Sequence, residues 1–153
     1  MRPHDVGPMT LTALAERPRD PVFGVAVPFA CSFDDGRASV TTLNNKRVTQ
    51  CALSRICGAC GQSLGWPVAF VGSQDELDRL AFHFPAVHPG CGQAVLTECA
   101  AIEVGVLGQL VRPDVWVQAV TSGFEYVRPA SREGDNRPTF RPNSLVSTRI
   151  FGA

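Results

Sequence analysis

The stretch RICGACGQSLGWPVAFVG, residues 55–72, decides how the rest of the chain is interpreted. It contains Cys57 and Cys60, separated by two residues, with glycines at positions 58 and 61 that let the backbone turn tightly. Cysteines at this spacing bind a metal, exchange a disulfide or pack in a core. Which of these applies depends on the partners that the remaining sequence supplies.

A second pair with the same spacing occurs further along, in HPGC, where His88 and Cys91 lie at the start of a predicted helix. Zinc prefers thiolate and imidazole ligands in a tetrahedron, and structural sites are usually built from two such local pairs. The sequence therefore predicts a structural Zn²⁺ site formed by Cys57, Cys60, His88 and Cys91. These four ligands leave no open position for water, so the metal is expected to organise structure rather than to activate a nucleophile.

Two further cysteines are alternate ligands. Cys99 lies two helical turns after Cys91, and Cys51 lies six residues before Cys57. Core packing is the default for a free cysteine, but either residue could replace His88 as the fourth ligand. Cys31 lies in a predicted strand, and no role is assigned to it.

Redox and deaminase chemistry are disfavoured. A thioredoxin-like pair needs its first cysteine at the start of a helix, whereas the GQSLGWP that follows Cys60 is a poor helix. Zinc deaminases place H-x-E before P-C-x-x-C, and here the order is reversed and the glutamate is missing.

The composition indicates one ordinary domain, assigned to residues 21–153, with an N-terminal arm over residues 1–20. Lys and Arg total 14 and Asp and Glu total 14, so no overall field drives binding to nucleic acid or to an anionic membrane. Neither a secretory apolar core nor a membrane-spanning run is found, which predicts a soluble, cytoplasmic protein with no membrane partner. In a reducing cytosol the six cysteines are not expected to form a disulfide framework.

The order of predicted elements is that of an α+β fold. A hairpin is expected over residues 22–43, a short helix over 44–56 and a buried strand ending at Gly72. The S-x-x-E pattern at Ser73 predicts a helix through about Phe82, and the clearest helix runs from Pro89 to Gly105. Three strands follow, DVWVQAV, FEYV and SLVSTRIF, with a long loop over 128–143. The chain thus has a loop with the first cysteine pair, then a strand, then a helix that bears the second ligand pair. This order predicts a treble-clef zinc finger embedded in a small, mainly antiparallel sheet.

Several basic residues provide a candidate nucleic-acid patch, because a flexible arginine arm beside a zinc finger can grip phosphates. The acidic residues Glu133 and Asp135 reduce the net positive charge of this arm, so a solvated loop is the alternative interpretation. The members of the patch are Lys46, Arg47, Arg55, Arg128, Arg132, Arg137 and Arg141.

The run from Cys51 to Gly72, followed by FPAVHPGC and Cys99, resembles a small uncharacterised treble-clef-like zinc-binding family of actinobacterial, other bacterial and phage proteins. That family has a C-x5-C-x2-C-G segment, an A-F-V-x-G strand and a later H-x2-C pair. The resemblance covers most of the chain from about Phe29 onward. It implies a zinc site at the two pairs and no particular activity. The double proline and the Cys-Pro-Phe-Leu segment of the family are replaced here by FPA and CAAIEV.

The sequence therefore predicts a zinc-stabilised, noncatalytic binding or assembly module that recognises a protein partner or nucleic acid. The alternative is an enzyme, or an accessory subunit of one, in which zinc is only structural. A closed pocket that gathers His83, Asp34, Asp35 or Tyr126 would favour the enzyme.

Overall fold

The computed structural model describes residues 8–34, 36–128 and 137–151. Within these ranges the chain forms four helices and seven strands. They are α1 (Pro8–Ala15), β1 (Cys31–Asp34), β2 (Arg37–Leu43), α2 (Asn45–Ser54), β3 (Val68–Ser73), α3 (Gln74–Arg79), α4 (Pro89–Cys99), β4 (Trp116–Thr121), β5 (Phe124–Val127), β6 (Thr139–Pro142) and β7 (Leu145–Phe151).

The strands form three small antiparallel sheets, which agrees with the predicted mixture of helices and antiparallel strands. The central sheet has the order β3-β4-β7, while β1 pairs with β2 and β5 pairs with β6. In the central sheet Phe70 lies opposite Ala119, and Gln118 lies opposite Arg149. The middle strand β4 is buried along almost its whole length, because both faces of the sheet are covered there.

Aromatic rings cover one face of the central sheet. The ring of Phe70 stacks on Phe82 with centroids 5.5 Å apart and meets the edge of Phe124 at 5.6 Å. Phe140 of β6 completes this group, since its ring lies 6.0 Å from that of Phe70. The opposite face lies under α4, where Gly92 leaves room for Val71 and for the amide of Gln118. Each buried aromatic ring removes a large apolar area from water, so this group is a main source of stability.

Helix α2 lies where the sequence predicts a short helix but ends at Ser54, two residues before the predicted end at Ile56. The side chain of Asn44 accepts a hydrogen bond from the amide of Arg47 at 3.1 Å and caps the helix start. Val48 and Cys51 face the core, and the C-cap residue Arg55 adopts the left-handed conformation with φ 52°. Ile56 lies beyond this end, in an isolated antiparallel bridge with Ser63.

Helix α3 has the predicted capping box. The hydroxyl of Ser73 accepts from the amide of Glu76, and the carboxylate of Glu76 accepts from the amide of Ser73. The carboxylate occupies the space that a side chain at Gly72 would need, which explains the glycine at that position. The helix ends at Arg79, three residues earlier than the predicted Phe82.

Helix α4 begins at Pro89 as predicted but ends at Cys99 rather than near Gly105. The amide of Ile102 bonds back to the carbonyl of Cys99, which turns the chain, and the guanidinium of Arg112 donates to the carbonyl of Ala100 at 2.9 Å. Ile102 is nevertheless buried. The predicted apolar face is therefore correct although its last part is not helical.

Three other predictions need correction. The hairpin is confined to β1 and β2, because residues 22–30 form turns and an isolated bridge instead of a strand. The N-terminal arm over 1–20 contains helix α1, which packs on α4. The loop over 128–143 contains strand β6, which pairs with β5 and places Phe140 in the aromatic group.

Candidate metal centre

The first cysteine pair lies in a tight loop, residues 56–63, which we call the knuckle. An antiparallel bridge between Ile56 and Ser63 closes it, and the amide of Cys57 donates to the carbonyl of Gln62 at 2.8 Å. Gly61 adopts φ +80°, a conformation that favours glycine. The sequence G-A-C-G thus lets the backbone turn tightly around the position predicted for the metal ion.

Backbone amides of the knuckle point at the two sulfur atoms. The amides of Ala59 and Cys60 lie 3.4 Å from Sγ of Cys57, and the amide of Gln62 lies 3.5 Å from Sγ of Cys60. The amide of His88 reaches Sγ of Cys57 at 3.4 Å. N–H groups directed at a sulfur stabilise negative charge on it, so the loop is arranged for a thiolate at position 57.

The second pair lies at the start of α4. His88 is the N-cap with extended backbone and makes no side-chain capping bond, while Pro89 occupies the first turn. Pairing of Val87 with Ala69 of β3 fixes the approach of the chain to the helix. The imidazole of His88 and the thiol of Cys91 are thereby placed beside the knuckle.

The four predicted ligands meet in one buried group, the Cys3His cluster (Cys57, Cys60, His88 and Cys91). Their ligand atoms all lie within 4.8 Å of one another. Nδ1 of His88 lies 3.5 Å from Sγ of Cys60 and 3.7 Å from Sγ of Cys91. The cluster could hold a metal ion.

The imidazole of His88 is held in one tautomer. Its Nε2 atom lies 2.8 Å from the carbonyl oxygen of Ser63, and a carbonyl can only accept a hydrogen bond. Nε2 must therefore carry a proton, so Nδ1 is the ring atom that faces the sulfurs and that would offer its lone pair to a bound metal ion. A ring nitrogen fixed by a backbone carbonyl in this way is the usual outer support of a histidine ligand.

The groups of the cluster compete for protons. Burial raises the pKa of Cys57, but hydrogen bonds from the other three residues of the cluster outweigh it and lower the pKa well below its usual range. Burial lowers the pKa of His88, whereas the hydrogen bonds with Cys57 and Cys60 raise it to about 10. The pKa of Cys91 is raised, first by its hydrogen bonds with Cys57 and Cys60. Negative charge is thus concentrated at Cys57, where a bound cation would take the place of protons.

The remaining cysteines lie outside the cluster. Neither Cys51 nor Cys99 belongs to the group of converging ligand atoms found in the described ranges, and both are free, buried thiols. Burial raises the pKa of each to about 12. Cys31 is also a buried thiol whose pKa is raised by burial, and its Sγ lies 3.9 Å from the carbonyl oxygen of Val40. These three therefore have the character of core residues.

The structure brings only some of the predicted basic patch together. Thr49 of α2 contacts the hydroxyl of Tyr126 at 3.4 Å, and the guanidinium of Arg55 lies 5.1 Å from the ring centre of Phe124. Two contacts thus link α2 and its C-cap to β5, the strand that leads to Arg128. Lys46, Arg55 and Arg128 are exposed.

Three other members of the patch have different surroundings. Arg137 donates to the carbonyl oxygen of Gly108 at 2.6 Å and is half-buried. Arg141 is exposed on β6, opposite Glu125 of β5, which offsets its charge. Arg132 lies outside the described residues.

The sequence missed two members of these sites. The carbonyl of Ser63 orients His88, and no side-chain signal marks a backbone acceptor. Arg17 lies against the ring of Phe29 together with Arg47, and the separation of 30 positions between the arginines hides that contact in the sequence.

Of the four residues proposed for an enzyme pocket, only His83 and Tyr126 have described side chains, and these two do not line the same cavity. A cavity of about 220 Å³ between β2, α2 and residues 108–110 is lined by His83, whose Nδ1 donates to the carbonyl oxygen of Pro138 at 3.0 Å. Tyr126 is not part of its lining and instead contacts Thr49 and the ring of Phe140. The side chains of Asp34 and Asp35 lie outside the described residues.

Among the described residues, no helix has both the length and the apolar character needed to cross a bilayer. Comparisons with protein-family models, with curated proteins and with solved structures find no match to the chain.

Proposed function

We propose that the Cys3His cluster binds one Zn²⁺ ion. A sulfur 2.3 Å and a nitrogen 2.0–2.1 Å from one tetrahedral zinc ion are about 3.6 Å apart. The separations of 3.5 and 3.7 Å between Nδ1 of His88 and two of the sulfurs agree with this value. Three thiolates and one imidazole also match the soft ligand preference of zinc.

The arrangement around the cluster supports a treble-clef architecture. The knuckle gives the first two ligands, β3 pairs with the segment before α4 through Ala69 and Val87, and the first turn of α4 gives the last two. Helix α3 and the chain up to residue 86 form an insertion between β3 and the segment before α4 with which β3 pairs. Zinc bound there would hold the knuckle against α4 and would supply structural cross-linking only.

A structural rather than catalytic role for the metal ion follows from the same ligand set. Four protein ligands fill a tetrahedron, so no site remains for an activated water. The buried position of all four residues supports this view. Because the ligands must be thiolates and all six cysteines are free, a reducing compartment such as the cytoplasm fits the site.

For the recognition function we propose binding of nucleic acid along α2 and β5. The observation that carries this proposal is the exposure of Lys46 and Arg55, near the two ends of α2, and of Arg128, directly after β5. Within the described residues, none of the three makes an ion pair with a carboxylate within 4.0 Å. Helix α2 contains no acidic residue, whereas α3 contains Asp75, Glu76 and Asp78. A net-neutral chain therefore presents a local positive surface, which phosphates would neutralise.

The test is the salt dependence of binding to mixed-sequence single-stranded DNA and RNA. The double variant Lys46→Gln/Arg128→Gln should weaken binding and reduce the slope of log K against log salt by about 1.4, at about 0.7 per phosphate contact. The matched control Arg37→Gln/Arg79→Gln removes the same charge from β2 and α3 and should leave the slope unchanged. Absence of binding by the wild type at low salt would refute the nucleic-acid function.

A second candidate function, recognition of a protein partner, is favoured by β7. Six of its seven residues are exposed, and it forms the edge of the central sheet. Val146 and Ile150 are 60% and 65% exposed there, and an apolar edge strand is a template for strand addition. Pull-down with the wild type and with Ile150→Lys tests this candidate, since loss of a captured protein only in the variant would assign the contact to β7.

A further inference from the structure

Phe29 is a fixed platform beside the knuckle. Its amide donates to the carbonyl oxygen of Ala59 at 2.9 Å, so its backbone pairs with the metal loop. Its ring packs against Gly61, where an added Cβ would lie 3.1 Å from Cδ1 of the ring. The position of this ring is therefore determined by the same loop that forms the metal centre.

Two arginines, 30 positions apart in the sequence, lie against this ring. The guanidinium carbon of Arg47 is 4.8 Å from the ring centre, and that of Arg17 is 5.7 Å from it. Arg47 donates through one terminal nitrogen to the carbonyl oxygen of Phe29, and Arg17 donates through Nε to the carbonyl oxygen of Val27, both at 3.1 Å. A guanidinium has five N–H donors, so each arginine is oriented by one bond and keeps others for a ligand.

The positive charge of this pair is not compensated. In the part of the chain that the structure describes, neither Arg17 nor Arg47 makes an ion pair with a carboxylate within 4.0 Å. Arg47 lies in the first turn of α2, where the helix dipole is positive and no acidic residue is present. The pKa of Arg17 is lowered by burial and by the charge of Arg47, which indicates that the two cations repel each other.

We propose that Arg17 and Arg47, stacked on Phe29, form a clamp for one phosphate group. This inference rests on the proposed nucleic-acid function and names a binding site at the first turn of α2. The planar guanidinium is suited to paired hydrogen bonds with phosphate oxygens, and the aromatic platform reduces the side-chain freedom lost on binding. The same chemistry would also bind free inorganic phosphate, so the experiment includes both sources.

The first arm measures binding of single-stranded DNA across a salt series. Arg17→Gln and Arg47→Gln should each reduce the slope of log K against log salt by about 0.7 and weaken binding several-fold at low salt. Arg19→Gln is the matched control, because Arg19 lies two residues away and already pairs with Glu98 and with the carbonyl oxygen of Gly24. Its slope should equal that of the wild type. Bound metal and melting temperature are measured for every variant, so that a folding defect is recognised.

The second arm titrates inorganic phosphate into the wild type and follows the Nε–H resonances of the arginines by NMR. Selective shifts of the Arg17 and Arg47 resonances in the wild type, with the shift of Arg47 lost in Arg17→Gln, support the clamp, even if no DNA is bound. If DNA binds but Arg17→Gln and Arg47→Gln keep the wild-type slope, the clamp is wrong and the wider basic surface stands. If the wild type binds no DNA and phosphate shifts neither resonance, both the clamp and the nucleic-acid function are wrong.

Discussion

Nε2 of His88 lies 2.8 Å from the carbonyl oxygen of Ser63, so the knuckle that supplies two cysteines also orients the histidine. The bond joins residues 25 positions apart. Formation of the knuckle and selection of the His88 tautomer are consequently coupled, because the carbonyl is in position only when the loop is closed.

The role of His88 as a metal ligand can be tested by replacing its side chain. We expect His88→Cys to retain one metal ion, because a thiolate at this position restores four ligands, and His88→Ala to lower metal affinity at least about 100-fold. Cobalt substitution followed by absorption spectroscopy reports the number of thiolate ligands. Equal affinity of His88→Ala and the wild type would remove His88 from the ligand set.

Removal of a cysteine ligand should have a much larger effect than removal of a core cysteine. Cys57→Ser should lose the metal and the cooperative unfolding transition, because zinc binding contributes about 10 kcal/mol or more to small metal-dependent folds. Cys99→Ala is the matched control and should keep one equivalent of metal at a cost of about 1 kcal/mol. Metal analysis and thermal unfolding of both variants measure this difference. Metal loss in Cys99→Ala would restore Cys99 as a ligand.

Alkaline pH should destabilise the fold through the buried thiols. The folded-state pKa values of Cys51 and Cys99 are raised to about 12, above the ordinary value of 9.0, so the unfolded chain ionises first as pH rises. Their contribution is complete below pH 9 and is lost progressively up to about pH 12. At pH 10 each thiol should account for a loss of about 1.4 kcal/mol in the free energy of unfolding.

Denaturant titrations between pH 7.5 and 10.5 measure this loss. The slope of stability against pH should be shallower in Cys51→Ala and Cys99→Ala than in the wild type. An unchanged slope in both variants would show that these thiols ionise equally in the folded and unfolded chains.

Glu76 should be a major contributor to stability although it is charged. It is 2% exposed, and its carboxylate accepts from the amides of Ser73 and His83 and from the side chain of Gln109. Glu76→Ala leaves these donors without an acceptor and should cost about 3 kcal/mol. Asp78→Ala removes an exposed carboxylate from the same helix and should change stability by less than about 0.5 kcal/mol. Similar losses in the two variants, measured by urea unfolding, would contradict this role.

The features that the sequence predicted correctly are local. They include the ligand pairs with two intervening residues, the S-x-x-E capping box and Pro89 at the start of α4. Each depends only on neighbouring residues, so the local sequence is sufficient to predict it. The convergence of Cys57 and His88, 31 positions apart, was also predictable, because each pair is incomplete alone and the chemistry of a tetrahedral site requires the other.

The errors arise where distant contacts decide the structure. The apolar spacing after Cys99 still favours a helix, and a hydrogen bond from Arg112 to the carbonyl of Ala100 marks the end instead. Strand β6 lies in a Pro- and Arg-rich segment whose composition favours a loop, yet Phe140 is buried among three aromatic rings from strands β3 and β5. Neither partner is visible from local sequence.

The position of the knuckle also has a consequence for the rate of folding. Its backbone bonds to Ala30 through Gly58 on one side and to Ala86 on the other. These bonds and the ligand set close loops of about thirty residues, and each closure has an entropic cost that a bound metal ion would offset. Refolding should therefore accelerate as the metal concentration rises.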